Sequence, residues 1–388
     1  MKVGVVGCGI FGLAAALELR QRGHEVTAFD QGPVPFEKAA STDTSKTIRR
    51  VYGDRADYVE LVERAEPRWR AWQAQTGTDF YQPVGYIYVV RNFQPGTRTY
   101  DAWRMFEGTR DEVRLVELAE ARERFPQFAF HDGDVVLHDA WGGYLASARA
   151  VEAVAWLARA EGVAIREGAK VEAVEETGAG VRLRFARPRG DGAAHAQGVG
   201  ADGDASFDRV VVATGVWIGR FVPAIGAAIR VTREYMAFFR PPDPARYAPG
   251  PMPVFSIESD VKGWYGHPLK HEGWVKVAND LRGPVVDPDA DRDGSDAYEA
   301  QARAFVRERI PGLADAPIVG SRSCLYDNTP DHDFVVDWAP GSSRVLVAGG
   351  GSGHGFKFGG SIGPVIADAL EGRENPLGRA FLIGRRFG

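Results

Sequence analysis

Within its first thirty residues the chain runs from a short β-rich segment, Lys2 to Val6, through Gly7-Cys8-Gly9-Ile10-Phe11-Gly12 into an Ala/Leu-rich helical stretch, Leu13 to Arg22. After the turn at Gly23-His24-Glu25 a second strand, Val26 to Phe29, ends in Asp30. Strand, glycine turn, helix and strand in that order make a βαβ unit, so the two strands are expected side by side in a parallel sheet. In Gly7-x-Gly9-x-x-Gly12 the first glycine permits the tight turn and the second lets the backbone approach a pyrophosphate. The third lets helix and strand pack closely. The helix N-terminus offers unpaired N–H groups and a positive dipole end to the phosphates. Asp30, eighteen residues past Gly12, can accept hydrogen bonds from ribose hydroxyls. The pattern predicts a bound dinucleotide; the alternative is an ordinary glycine turn with a surface Asp. The loop alone leaves NAD and FAD open, and Cys8 inside it reads as a small packing residue.

A chain of 388 residues exceeds one ordinary core and suits two domains. No run approaches the roughly 20 apolar residues of a membrane span, and the N-terminus enters a strand without the marks of a signal peptide. A cytoplasmic protein with no membrane partner is expected. The 47 basic and 52 acidic residues are interspersed, leaving no basic face for nucleic acid. Two cysteines, Cys8 and Cys324, are too few for a disulfide framework or a four-cysteine zinc site. No metal is expected.

Further along, residues 54 to 76 read as a helix with Tyr58, Leu61, Val62, Ala65, Trp69 and Trp72 near helical spacing, and 85 to 90 as a strand. The stretch 98 to 125 reads as helical and charged, and a helix is expected from Ala148 to Glu161. Strands follow near 164–166, 170–175 and 180–185. Arg187 to Asp208, rich in Gly, Ala and Asp, reads as a solvated loop. Arg209 to Gly215 and Arg344 to Gly350 are apolar strands running into glycine, the form of strands that meet a cofactor.

Three blocks remain: Ile48-Arg49-Arg50-Val51-Tyr52-Gly53, the run from Ser323-Cys324-Leu325-Tyr326-Asp327-Asn328-Thr329-Pro330-Asp331 to Asp337, and Gly351-Ser352-Gly353-His354-Gly355-Phe356-Lys357-Phe358. In this order they resemble the monomeric sarcosine oxidase family, which includes N-methyltryptophan oxidase and, more distantly, the fructosyl amino acid oxidases. The resemblance extends from the first strand to about Leu370. It implies FAD, linked through its 8α-methyl carbon to a cysteine sulfur, and Cys324 matches the attachment position. Read without the resemblance, Cys324 is a lone thiol that is either buried or, before the turn-forming Thr-Pro-Asp, in an irregular accessible segment.

With the glycine motif already read, the residues expected to bind the cofactor are Gly7, Gly9, Ile10, Gly12, Asp30, Ser45, Lys46, Val171 and Gly215, together with Cys324 and Lys357. The ring system is then lined by Gly353, His354, Gly355 and Phe356. Lys357 is expected to face the substrate carboxylate with Arg49 as its partner, since a guanidinium grips a carboxylate through two hydrogen bonds. Surface charge is the alternative for both. Lys276, in Trp274-Val275-Lys276-Val277-Ala278-Asn279-Asp280, matches a lysine over the other flavin face. There a fixed cation would stabilise charge that O2 acquires only in the transition state; the alternative is an exposed strand residue. Tyr265 and Tyr326 match positions lining the substrate cavity, and both could be packing aromatics.

The chain departs from the sarcosine oxidase pattern in two places. Lys46 stands where that pattern has arginine, and Asp280 stands at, or within one residue of, the place where that pattern carries an active-site histidine. Sarcosine itself is thereby put in doubt as substrate, and an acid near the amine site could pair with a second positive charge on a larger one. The implied enzyme is an FAD-dependent oxidase of a secondary amine or N-substituted amino acid, sarcosine-like, cyclic or glycated. It would yield an imine, then an aldehyde or keto acid plus amine, and hydrogen peroxide. One alternative is a dehydrogenase passing electrons to a quinone or protein acceptor. Another is a flavin-binding protein without catalysis, against which the retention of Arg49, Lys276 and Lys357 argues. The expected fold is α/β, with a glutathione-reductase-like FAD-binding Rossmann domain (1–84, 140–222 and 320–388) and a mixed-sheet substrate domain (85–139 and 223–319). Strands near 85–90, 229–240 and 253–278 should roof the flavin. A monomer is expected, with a small amine or amino acid and O2 as its partners.

Overall fold

The computed structural model describes residues 1–110, 112–186, 204–259, 262–269 and 271–385. β1 (Lys2–Val6), α1 (Ile10–Gln21) and β2 (Glu25–Phe29) form the βαβ unit that the glycine spacing predicts. β1 lies between β2 and the strand Arg209–Val212, parallel to both. The full six-stranded sheet runs Val335–Trp338, Val345–Gly349, Arg209–Val212, β1, β2, Ala164–Arg166. Only the outermost pairing, that of Val335–Trp338, is antiparallel. Burial of Val3 to Val6 explains why β1 is continuously apolar, as a strand covered on both faces must be. α1 buries most of its surface between this sheet and the helices Ser147–Ala160 and Gly359–Glu371. Its first turn sits so close to the glycine loop that a Cβ on Gly12 would come within 1.9 Å of the Gly7 carbonyl oxygen.

β3 (Lys46–Ile48) precedes α2 (Ala56–Thr76), whose predicted stripe of Tyr58, Leu61, Val62, Ala65, Trp69 and Trp72 is buried. β3 and β4 (Tyr81–Gln82) flank Gly143–Leu145 in a small sheet. β5 (Tyr86–Val90) joins an eight-stranded mixed sheet and leads to α3 (Arg98–Phe106). That sheet runs Ile318–Asn328, Arg230–Phe239, Val275–Asn279, Lys262–His267, Val254–Ser259, β5, Val135–Asp139, Val113–Val116. It therefore holds the strands expected near 85–90, 229–240 and 253–278. The helix Asp296–Arg309, capped by Ser295 Oγ accepting from Tyr298 N, covers it with Tyr298, Phe305 and Val306.

Three expectations are corrected. The stretch 98 to 125 is not helical throughout, because Val113–Val116 forms the edge strand of the large sheet between α3 and the helix Leu118–Arg124. Cys324 does not sit in an irregular, accessible segment. It lies within the strand Ile318–Asn328, held along its length by Arg230–Phe239, and is 5 % exposed. Of the predicted loop between Arg187 and Asp208, residues 187–203 lie outside the described residues, and Asp204–Phe207 is a strand paired with Gly180–Phe185. No helix among the described residues is long and apolar enough to cross a membrane.

Candidate active site

A cavity of about 380 Å³ opens where β1, β2, Arg209–Val212 and Val345–Gly349 end, the position at which open α/β sheets bind ligands. Gly7, Gly9, Ile10, Asp30, Lys46, Val171, Gly215, Gly353, Gly355 and Phe356 all line it. Asp30 Oδ2 accepts from Cys8 N at 2.8 Å and Oδ1 from Gly32 N at 3.1 Å, so the carboxylate braces the glycine loop while facing the cavity. Burial raises its pKa and the backbone N–H groups partly offset that. Gly353 has φ +78°, and a Cβ there would lie 2.3 Å from the Tyr326 ring. The chain thus presents bare backbone, a carboxylate and a helix N-terminus around one space, the donor and acceptor set that an FAD nucleotide requires. Gly12 is not part of the lining; its place is the contact between α1 and the glycine loop.

A second cavity, about 720 Å³, shares a wall with the first, made by Lys46, Tyr326, Gly353 and Phe356. Ser45, Arg49, Tyr265, His354 and Lys357 line this second space. Lys357, buried at 4 % exposure, donates from Nζ to Tyr52 OH (2.9 Å) and to the His354 carbonyl (2.6 Å). The Arg49 guanidinium lies over the Tyr52 ring, 4.2 Å from its centroid, and Nη1 donates to the Val51 carbonyl. Tyr52 therefore gathers both cations at one wall. Surface charge is excluded for Lys357, whose pKa is pushed well below the ordinary lysine value by burial, then by Arg49, Arg98 and Lys46. Arg50, the neighbour of Arg49, turns the other way into a buried pair with Asp139 at 3.1 Å. Tyr265 and Tyr326 are linked through their hydroxyls, and Asp280 lines the same cavity just beyond the strand Val275–Asn279.

Lys276 is fully buried and is absent from the lining of both cavities. Its strand is central, flanked by Arg230–Phe239 and Lys262–His267, so the alternative of an exposed strand residue is overturned. Lys276 Nζ donates to Asp43 Oδ2 and, at 3.0 Å, to the Ser45 carbonyl. The same Asp43 oxygen lies 3.1 Å from Lys46 Nζ, and Lys46 in turn lies 3.6 Å from Cys324 Sγ. Cys324 is absent from the lining of both cavities, and Lys46, itself part of the shared wall, is the wall residue beside its sulfur. Burial opposes the charge on Lys46, but Asp43 and Cys324 outweigh it and hold the pKa above the ordinary value. For Lys276 burial prevails, with Lys46 adding to it and Asp43 opposing, and the pKa is lowered.

Beneath the Asp280 bend, Glu234 accepts from Thr232 Oγ1 at 2.8 Å and from Gly283 N at 3.0 Å. Burial pushes its carboxyl up to about 7 from 4.5. An acid whose pKa is raised on folding stabilises the protein fully below 4.5, and that contribution is lost as pH climbs through about 7. Glu234→Gln should therefore melt with wild type near pH 4.5 and above it at alkaline pH. The gap should be up to about 3–4 kcal/mol at roughly 1.4 kcal/mol per unit, and coincident melting curves at both ends would reject the raised value.

Sequence reasoning missed Tyr52, Asp43, Arg98 and Glu258. Tyr52 lies in the Ile48–Gly53 block, three residues past Arg49, and was the one with a signal to follow.

A family model described as FAD dependent oxidoreductase matches residues 2–369. An N-methyl-L-tryptophan oxidase of Yersinia pestis is 28 % identical over 394 residues, covering 98 % of each chain. The fold is similar to that of the deglycating fructosamine oxidase Amadoriase II of Aspergillus fumigatus, with TM-score 0.80 and 22 % identity over 100 % of this chain and 90 % of that one. It is similar as well to the L-proline dehydrogenase of P. horikoshii, with TM-score 0.81 and 18 % identity over 97 % of this chain and 95 % of that one.

Proposed function

Since the chain belongs to the FAD dependent oxidoreductase family, we propose that it oxidises a secondary amine or N-substituted amino acid at a flavin held between the two cavities, with O2 as electron acceptor. The observation that carries this reading is the shared wall of Lys46, Tyr326, Gly353 and Phe356, with a glycine-lined nucleotide space on one side and the Arg49–Lys357 pair on the other. The glycine loop and Asp30 would hold the nucleotide, and Gly353, His354, Gly355 and Phe356 would hold the ring. When bound, FAD supplies a two-electron acceptor for the C–H beside the amine nitrogen and a route for those electrons to O2.

The chain's own groups do the rest. Arg49 and Lys357 fix the substrate carboxylate, which orients the amine end toward the shared wall. Tyr52 keeps the two cations in register, and Asp280 faces the amine side. Tyr265 and Tyr326 supply walls that are apolar along the ring and polar at the tip. The oxidised amine leaves as an imine, which water converts to an aldehyde or keto acid and an amine, while O2 becomes hydrogen peroxide. N-methyl, cyclic and glycated amino acids should therefore release peroxide with the purified protein. Turnover with a quinone but none with O2 would reject the oxidase and favour a dehydrogenase.

Covalent attachment at Cys324 belongs to the same proposal, and Lys46 provides a fixed positive charge beside the sulfur. Acid precipitation should leave yellow colour in the wild-type pellet and release it from Cys324→Ala. Free flavin in both supernatants would void the linkage and leave a noncovalent FAD site. The division into flavin-binding segments (1–84, 140–222, 320–388) and substrate segments (85–139, 223–319) is retained as a proposal. So are a monomeric state and a cytoplasmic location. Ile318–Asn328 pairs within the eight-stranded sheet, so the segment from 320 reaches across both parts.

A further inference from the structure

Most cations lining the second cavity already have partners. Lys46 is paired with Asp43, Arg55 with Asp57 and Asp333, and Arg282 lies against His332. Arg98, the first residue of α3, also lines this cavity, yet it makes no hydrogen bond or ion pair with any described residue. Packing sets the base of this side chain, while the residue as a whole is exposed. A Cβ on Gly53 would lie 3.6 Å from Arg98 Cγ and 3.7 Å from its Cα, so the start of α3 rests on the bend that carries Arg49 and Tyr52. The charge of Arg98 acts on Tyr52, Tyr86 and Lys357. It stands near the carboxylate clamp without being engaged by it. Glu258 lines the same cavity and feels Arg98, but stays outside ion-pair distance, and burial raises its carboxyl pKa, which weakens it as a counter-charge.

A guanidinium that has no partner among the described residues and stands exposed on the lining of a polar cavity offers a planar fork of donors suited to a carboxylate. We propose that Arg98 reads a second carboxylate on the distal arm of the substrate, so that the preferred substrates are N-substituted amino acids carrying two carboxylates. This inference rests on the proposed binding of a substrate carboxylate by Arg49 and Lys357. The chemical class it names is that of N-alkylated acidic amino acids and N-carboxyalkyl amino acids. A cavity of about 720 Å³ accommodates such an arm beyond the clamp.

The test uses the FAD-loaded enzyme and ligands that cannot be oxidised. Straight-chain dicarboxylates from succinate to pimelate and the monocarboxylates of the same chain lengths are titrated by calorimetry and by the change in flavin absorbance. At least one dicarboxylate should bind about tenfold or more tightly than its monocarboxylate partner, the scale of one charge-assisted hydrogen bond. Arg98→Gln should abolish that advantage while monocarboxylate affinity stays within about twofold, and Arg98→Lys should restore part of it. The kcat/KM ratio of N-methylglutamate to N-methylnorvaline should fall in step. Equal affinity for both series in wild type, with Arg49→Met still weakening each, overturns the role of Arg98 alone. Binding that ignores Arg49→Met overturns the clamp beneath it.

Discussion

Replacing Lys276 by Met should slow the reaction of the reduced enzyme with O2 by roughly two to three orders of magnitude, the scale of removing one preorganised charge from a transition state. Reduction by the amine should stay within about threefold, because O2 gains negative charge only in the second half of the cycle. Lys276 is buried behind the shared wall and joined to Lys46 through Asp43. When both lysines are charged, they and the one carboxylate leave one net positive charge beside the wall, and losing Lys276 cancels it. The variant should still fold, since Asp43 keeps Lys46 as a counter-ion. Loss of a sole partner would instead cost about 3–5 kcal/mol. A matching flavin content and melting curve verify this. Burial and Lys46 lower the Lys276 pKa against the pull of Asp43, so its charge is lost at a lower pH than that of an exposed lysine. The reoxidation rate should accordingly fall as pH rises through that range in wild type and stay flat in the variant. Stopped-flow reoxidation at equal rates in both proteins would reject the assignment.

Arg49→Met should lower kcat/KM for N-methyl amino acids by about a hundred- to a thousandfold, roughly 3–4 kcal/mol, as expected for losing a paired charge-assisted contact. An amine of the same shape without a carboxylate should be oxidised equally by both proteins. Arg49→Lys should recover only part, since an ammonium cannot reproduce the fork that lies over Tyr52. Lys357 adds a pH signature. Its pKa is depressed by burial, Arg49, Arg98 and Lys46, and an incoming carboxylate favours its charged form. Carboxylate binding should therefore take up a proton and weaken as pH rises, which calorimetry in buffers of different ionisation enthalpy detects. A uniform loss for all amines in Arg49→Met would point to a distorted cavity instead of a lost clamp.

The nucleotide half of the site was legible because it is built of backbone. Glycines at fixed spacing, apolar strands and a terminal acid encode local geometry, and each falls where the spacing requires. Arg49, Lys357, Tyr265 and Tyr326 could be brought to one cavity only through the resemblance, since no local pattern links residues 49 and 357. The role of Tyr52 depends on a hydrogen bond from Lys357, 305 positions away, and that of Asp43 on Lys276, 233 positions away. Pairings of that range leave no periodicity. Lys276 between valines fits either a solvated or a buried strand, and only its central place in the sheet decides. Gly320-Ser321-Arg322-Ser323 has little strand preference, and Ile318–Asn328 extends because Arg230–Phe239 pairs with it from end to end. Val113–Val116 is four residues inside a charged stretch, too short for its own period to register.

Electron flow from an N-substituted amino acid through the flavin to O2 can be watched by adding N-methyl amino acids to the FAD-loaded protein under argon and then admitting air. The yellow absorbance should bleach without oxygen and return with it, releasing one hydrogen peroxide per flavin. A flavin that stays yellow with every such amine, or that bleaches and is restored by a quinone but not by air, would contradict it.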